Sequence, residues 1–378
     1  MKHTVAAAAE IMMQFAENTG LTGNVKPHRY LWTDAFAVCN FLELKTQTGD
    51  DTYRDLALRL VDQVHRVLGR HRDDDARSGW ISGLAEEEGV AHPTAGGLRI
   101  GKTLPERGLK EAGDSQLEWD RDGQYFHYLT KWMQALHQVA RKTGEAAYDR
   151  WARELARAAH DRFTYQLDPA LPKLMYWKMS IDLTHPQVSS MGHHDPLDGY
   201  ITYLELQAAA PGELRRETAE MENICRGRDW ITDDPLGIGG LLCDSLRLAR
   251  LKAAGIEVQG GLMEEMLSSA AEGVRRYVRQ NPTSQPVEFR LAFRELGLAI
   301  GLYASAFIEK YLPDLPKRFG AADVVAVALK RLAAHRGLAT DIVDFWLENQ
   351  SGAGWASHRD INMVMLATSL LPQGFLGE

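Results

Sequence analysis

Apolar residues recur at helical spacing along nearly the whole chain, and seldom at the alternating spacing of a strand. The pattern predicts helices over about 3–19, 34–47, 52–69, 123–142, 146–163, 196–209, 213–226, 236–254, 261–280, 289–311, 321–336 and 360–371, with a weaker one near 341–348. Two kinds of helix alternate. Segments 52–69, 146–163, 261–280 and 321–336 carry charges on one face and Leu, Val or Ala on the other, as surface helices do. Segments 236–243 and 296–308 are apolar on nearly all sides, which marks helices surrounded by other helices. Their internal glycines each cost about 1 kcal/mol relative to Ala. Close helix–helix approach is the expected compensation.

Boundary residues support this division. Asp195-Pro196 and Asp234-Pro235 each suggest Asp at a helix N-cap with Pro at the first helical position. Thr48-Gly49-Asp50 and Thr143-Gly144-Glu145 make the same short turn from one helix into the next. Alternating half-buried and buried helices then read as helical hairpins in two concentric rings. The longest irregular stretch is about 72–118; loops of that length in a compact domain are usually functional or disordered. Alternation around Leu98–Ile100 suggests a small hairpin over a pocket. No break in composition marks a boundary, so 1–378 reads as a single domain.

Charge narrows the partners. The chain has 378 residues and a net charge of −8, from 43 basic and 51 acidic residues, which argues against nucleic acid. No segment approaches the roughly 20 apolar residues of a membrane span. Glu10 interrupts the first apolar run, so an amphipathic helix is expected at the N-terminus in place of a signal peptide. Cys39, Cys225 and Cys243 lack metal-type spacing and sit among apolar neighbours, as buried thiols in a reducing, cytoplasmic setting would. No cofactor and no metal site is expected.

Six polar and aromatic clusters each run into an apolar helical segment: Tyr30–Asp34, Glu118–Asp122, His193–Pro196, Thr232–Pro235, Glu288–Arg290 and Trp355–Asp360. This arrangement resembles the six-hairpin glycosidase group, the (α/α)6 barrels of six helical hairpins. The resemblance implies an all-α fold with the clusters gathered at the starts of the inner helices. Locally the chain is similar to unsaturated glucuronyl hydrolases, which place one Asp at the start of the second inner helix and another at the start of the third. The matching stretches are Arg121-Asp122-Gly123-Gln124-Tyr125 and His194-Asp195-Pro196-Leu197-Asp198. The resemblance implies Asp122 and Asp195 as the catalytic pair. The Trp-x-Arg-Gly-x-Gly-Trp stretch of those hydrolases does not occur here. Mannan-cleaving members of the group use adjacent Asp residues, which Asp233-Asp234 matches in form.

The candidate chemistry follows. Glycoside cleavage needs two carboxyl groups in unlike surroundings, and Asp34, Asp120, Asp122, Asp195 and Asp198 are the acids at cluster positions. Asp122 or Asp120 would act on the leaving oxygen or the water, with Asp195 as partner. Sugar rings present apolar faces and polar edges, which suit aromatic walls. Trp80, Trp119 and Trp355 are expected to stack on the ring, with Trp32 and Tyr125 nearby among Tyr30, Tyr176, Trp177 and Trp230. His193, His194, Arg290 and His358 would orient hydroxyls or a carboxylate. The predicted function is a glycoside hydrolase acting on a short carbohydrate. The alternatives are a sugar epimerase that exchanges protons through His194 and His358, and a non-catalytic helical barrel that binds a partner.

Overall fold

The helices form where the apolar periodicity places them. In the computed structural model, which describes residues 2–114, 116–314 and 321–378, they are α1 (Lys2–Asn18), α2 (Leu31–Thr48), α3 (Asp51–Leu68), α4 (Glu86–Ala91), α5 (Phe126–Thr143), α6 (Ala146–Phe163), α7 (Asp195–Ala209), α8 (Arg215–Cys225), α9 (Pro235–Ala253), α10 (Leu262–Gln280), α11 (Ala292–Ile308), α12 (Ala321–Ala333), α13 (Gly337–Glu348), α14 (Ala353–Ala356), α15 (Arg359–Leu370) and α16 (Pro372–Leu376). The chain divides into two units, one of residues 16–226 and one of residues 1–15 with 227–378.

The unit of residues 16–226 is built from three hairpins, α2–α3, α5–α6 and α7–α8, with α5 packed between α2 and α7. The twin turns read from the sequence are alike in detail. Gly49 and Gly144 both take a left-handed conformation, at φ 78°, and each amide closes its helix by donating to a carbonyl four residues back. Asp50 then caps α3 by accepting from the Thr52 amide at 2.9 Å. The burial of α2 runs unbroken from Leu31 to Leu44, whereas α3 buries only one stripe.

Five very short strands accompany these helices: β1 (Gln124–Tyr125), β2 (Thr164–Tyr165), β3 (Leu174–Met175), β4 (Lys178–Met179) and β5 (Pro186–Val188). They form an antiparallel sheet in the order β1-β4-β5 and a separate β2-β3 pair. In the first, Tyr125 is opposite Lys178, and Lys178 is opposite Val188. The sequence pattern did not predict this sheet. Its strands are two or three residues long, too short to show a period. Leu98 and Ile100 do not form the expected hairpin; both are fully buried, and no strand includes them. Of the long stretch 72–118, Ser115 lies outside the described residues.

The other unit centres on α9 against α11, with α10 beside α9, and α13 and α15 beside α11. The glycines do permit close approach. A Cβ on Gly239 would lie 2.0 Å from the Gly297 carbonyl oxygen, so the two backbones touch directly. Helix α13 is longer than the weak segment predicted near 341–348. Cys39, Cys225 and Cys243 are buried and form no disulfide, as the sequence suggested. Burial pushes the Cys39 thiol up to about 12. Among the described residues, no helix is long and apolar enough to cross a membrane.

Candidate active site

The starts of α5 and α7 hold the most chemically suggestive geometry. Asp195 occupies the first position of α7, and the N-cap is His194, which makes no side-chain cap bond. The sequence had placed Asp195 at the cap itself. One step inside the helix, its carboxylate is not turned back on the α7 amides. It lies beneath Gly192, where any Cβ would meet the carboxylate carbon at 2.4 Å. Only 7% of Asp195 is exposed, and its Oδ2 has no hydrogen-bond partner.

Facing it is His127, in the first turn of α5, with Nδ1 at 3.6 Å from Asp195 Oδ2. That nitrogen is also buried without a hydrogen-bond partner. Buried polar atoms are nearly always satisfied, so two such atoms face to face call for an explanation. Their surroundings are aromatic. The His127 ring stacks on Tyr125 at 5.3 Å and on Trp177 at 6.2 Å, and meets Tyr128 edge-on at 4.8 Å. Trp177 in turn contacts Trp119 at 4.9 Å, and the Tyr128 hydroxyl lies 2.6 Å from that of Tyr30. Burial pushes the Tyr125 hydroxyl above its usual range, with the neighbouring Tyr30, Glu118 and Asp120 charges adding to it. Sequence reasoning missed His127. It sits two residues after Tyr125, inside an apolar helix start where a lone His reads as core.

A cavity of about 380 Å³ opens against this wall, lined by Trp119, Tyr125, Trp177, Glu118, Arg107 and Gln187 among others. That is the size of a small-molecule site. The β1-β4 pairing positions it, since it sets Tyr125 beside Trp177-Lys178. Lys178 is fully buried and donates to Glu118 Oε1 at 2.9 Å. Burial pulls its ammonium below the usual lysine range, while Glu118 pulls the other way.

Most of the remaining predicted residues are committed to other partners. Asp122 has no exposed surface, and both its oxygens are taken. Arg99 and Arg72 donate to Oδ2 at 2.9 and 3.3 Å, and the amides of Gly101, Lys102 and Gly123 donate to Oδ1. The sequence put Asp122 at the reacting bond, but here five donors surround it and no face is left for a ligand. Asp120 is exposed. Asp34, buried in the first turn of α2, accepts from the Tyr30 amide at 2.9 Å and pairs with Arg29 at 3.4 Å. Asp198 accepts from Thr130 and Lys131. Trp32 packs on Phe36 and Tyr128. Trp80 is buried under the Arg70 guanidinium, with no open face for a sugar. His193 is exposed and its ring lies tilted against that of His194 at 4.5 Å.

In the other unit, Arg290 forms a buried two-point pair with Glu295, which also accepts from Trp346. Trp355 is buried against Trp346, in a short helix where a loop was expected. His358 is the N-cap residue of α15 and contacts Phe293. Asp234 caps α9 by accepting from the Gly237 amide, and Asp233 accepts from Gln280. Among the described residues, no three His, Cys, Asp or Glu side chains gather as a metal site would require.

No protein-family model matches the chain, and no curated protein matches it. Solved structures do. The chain is similar to an inactive variant of an α-1,6-mannanase of Salegentibacter sp. HEL1_6 in complex with α-1,6-mannotriose, at 12% identity over 97% of this chain and 99% of that one, with a TM-score of 0.50. It is also similar to a cellobiose 2-epimerase from Spirochaeta thermophila, at 11% identity over 81% and 86% of the two chains and a TM-score of 0.46. A third is an unsaturated glucuronyl hydrolase from Bacillus sp. GL1, at 13% identity over 98% and 96% and a TM-score of 0.38. The likeness to the mannanase shows the fold. It is all-α, the (α/α)6 fold of the six-hairpin glycosidase group that the sequence resembles.

Proposed function

We propose that this chain is a carbohydrate-active enzyme, a glycoside hydrolase for short oligosaccharides, with its chemistry at the starts of α5 and α7. One observation carries the reading: Asp195 Oδ2 and His127 Nδ1 are buried, unsatisfied and 3.6 Å apart beside an aromatic wall. A ligand that stacks on Tyr125, Trp177 or Trp119 would complete their hydrogen bonding. The fold is consistent with this role.

Glycoside cleavage calls for two carboxyl groups in unlike surroundings. Asp195, beside an imidazole, is one. Glu118, held between Lys178 and Arg107 at the cavity, takes the place that the sequence gave to Asp122. As the bond from the anomeric carbon to the leaving oxygen breaks, Asp195 gives that oxygen a proton. Water bonds to the anomeric carbon and gives its proton to Glu118. His127 orients Asp195 and reprotonates it. Asp122 and Trp80 support the walls and have no part in the chemistry.

A sugar epimerase is the second reading, and the same imidazole–carboxylate pair favours it, since such a pair can take up and return a proton. It would use His127 in place of His194 and His358. The test is a screen of glycosides and free sugars, scored together for new reducing ends and for isomerised products. A hydrolase should lose activity with Glu118→Gln as well as Asp195→Asn. An epimerase should lose it with His127→Gln and tolerate Glu118→Gln. Turnover unaffected by Asp195→Asn would end both readings.

A further inference from the structure

We infer that the saccharide bound here is uncharged, and that uronates and sugar phosphates are excluded. This rests on the carbohydrate reading above and names its substrate class.

The first support is charge balance at the cavity. Arg107 is the only basic residue among the described residues that line it. Its guanidinium donates to Glu118 Oε2 at 3.2 Å and to the Glu111 and Gln187 carbonyls at 3.3 and 3.0 Å. Lys178, behind the wall, has three N–H bonds to give. All are used, on Glu118 Oε1 and on the Glu118 and Arg121 carbonyls at 2.9, 2.7 and 2.8 Å. The acids Glu118 and Asp114 at the cavity balance these two bases. An incoming carboxylate would have to draw Arg107 away from Glu118 and leave a buried acid half-paired, which is costly. Nearby guanidinium groups are also committed, Arg121 to Glu111 and Arg99 to Asp122.

The second support comes from an unpaired atom at the cavity. Gln187 lines the cavity and is 7% exposed. Its amide nitrogen donates to the Arg107 carbonyl at 3.1 Å, which fixes the orientation of the amide. The other end, Oε1, is buried without a partner. It is an acceptor that lacks a donor. A sugar hydroxyl donates a proton to such an atom. An ionised carboxylate in its place has none to offer.

The test is binding to the full chain, by calorimetry or ligand-observed NMR, of methyl glucoside, methyl mannoside and cellobiose against methyl glucuronoside and glucose 6-phosphate. At least one neutral probe should bind tenfold or more tighter than either anion. An anion that binds as tightly as the best neutral probe would overturn the inference and leave the carbohydrate reading standing. Binding by none of the five would remove that reading and this inference with it. Gln187→Leu should weaken the neutral probe about fivefold or more, and an unchanged affinity would count against the unpaired acceptor. Should that variant not fold, Asp114→Lys at an exposed position adds an uncommitted cation. Glucuronoside affinity should then rise about fivefold, and no rise would show that charge is not what excludes anions.

Discussion

Two helices of this chain start with the same three residues, Asp-Pro-Leu, and use the Asp differently. At α9, Asp234 is the N-cap; its carboxylate accepts from the Gly237 amide at 3.1 Å and pairs with Arg294 at 2.6 Å. At α7 the cap falls one residue earlier, on His194, and Asp195 is left inside the helix with an oxygen unbonded. A shift of one residue turns a structural carboxylate into an available one. Capping chemistry reads the same from sequence in both cases. What differs is the turn before the helix, where Gly192 leaves space for the α7 carboxylate.

The comparison is most sharply tested by exchanging oxygen for nitrogen. Asp195→Asn should lower kcat/KM on any substrate found by roughly 10²–10⁴-fold, the usual contribution of a proton-transferring group, while Asp234→Asn, still a good cap, should leave it within about twofold. Equal losses in the two would erase the distinction. Next in size, Asp122→Asn should destabilise the fold by about 3 kcal/mol in urea titration, because it removes the buried charge that two half-buried guanidinium groups are paired with. A smaller effect comes from a buried imidazole. His65 is fully buried, accepts from Trp132 at 3.1 Å, and is held by burial down to about 3. In the unfolded chain it titrates near 6.5. Its contribution to stability is therefore complete above about pH 6.5 and lost as the pH falls toward 3. Between pH 7 and pH 5 the protein should lose about 2 kcal/mol on this account, and His65→Gln should flatten the slope. The smallest effects differ in sign. Asp234→Ala should cost about 1 kcal/mol, whereas Asp195→Ala should be neutral or stabilising, since it removes an unsatisfied buried oxygen.

The sequence made the helices legible because their periods are long. The twin glycine turns at Gly49 and Gly144 and the glycine contact of α9 with α11 were legible for a related reason, since each is a local rule with one satisfactory residue. The site was legible only in part. Asp195, Trp119 and Tyr125 could be named from their clusters, but their roles depend on partners distant in sequence. Arg99 is 23 residues from Asp122, and nothing local shows that it arrives. Lys178 is 60 residues from Glu118, on a strand too short to predict. Arg290 and Trp355 read as site residues because polar and aromatic groups at helix starts look alike, whether they face a ligand or each other.

The carboxylate of Asp122 has a further consequence for the segment around it. By gathering Arg72, Arg99 and the amides at 101 and 102, it nails the least regular part of the backbone to the segment that enters β1 and α5. Such a segment is a fixed rim, unsuited to swing as a lid. Its amide protons at 101 and 102 should exchange with deuterium as slowly as those in the neighbouring helices, and proteases should cut elsewhere first.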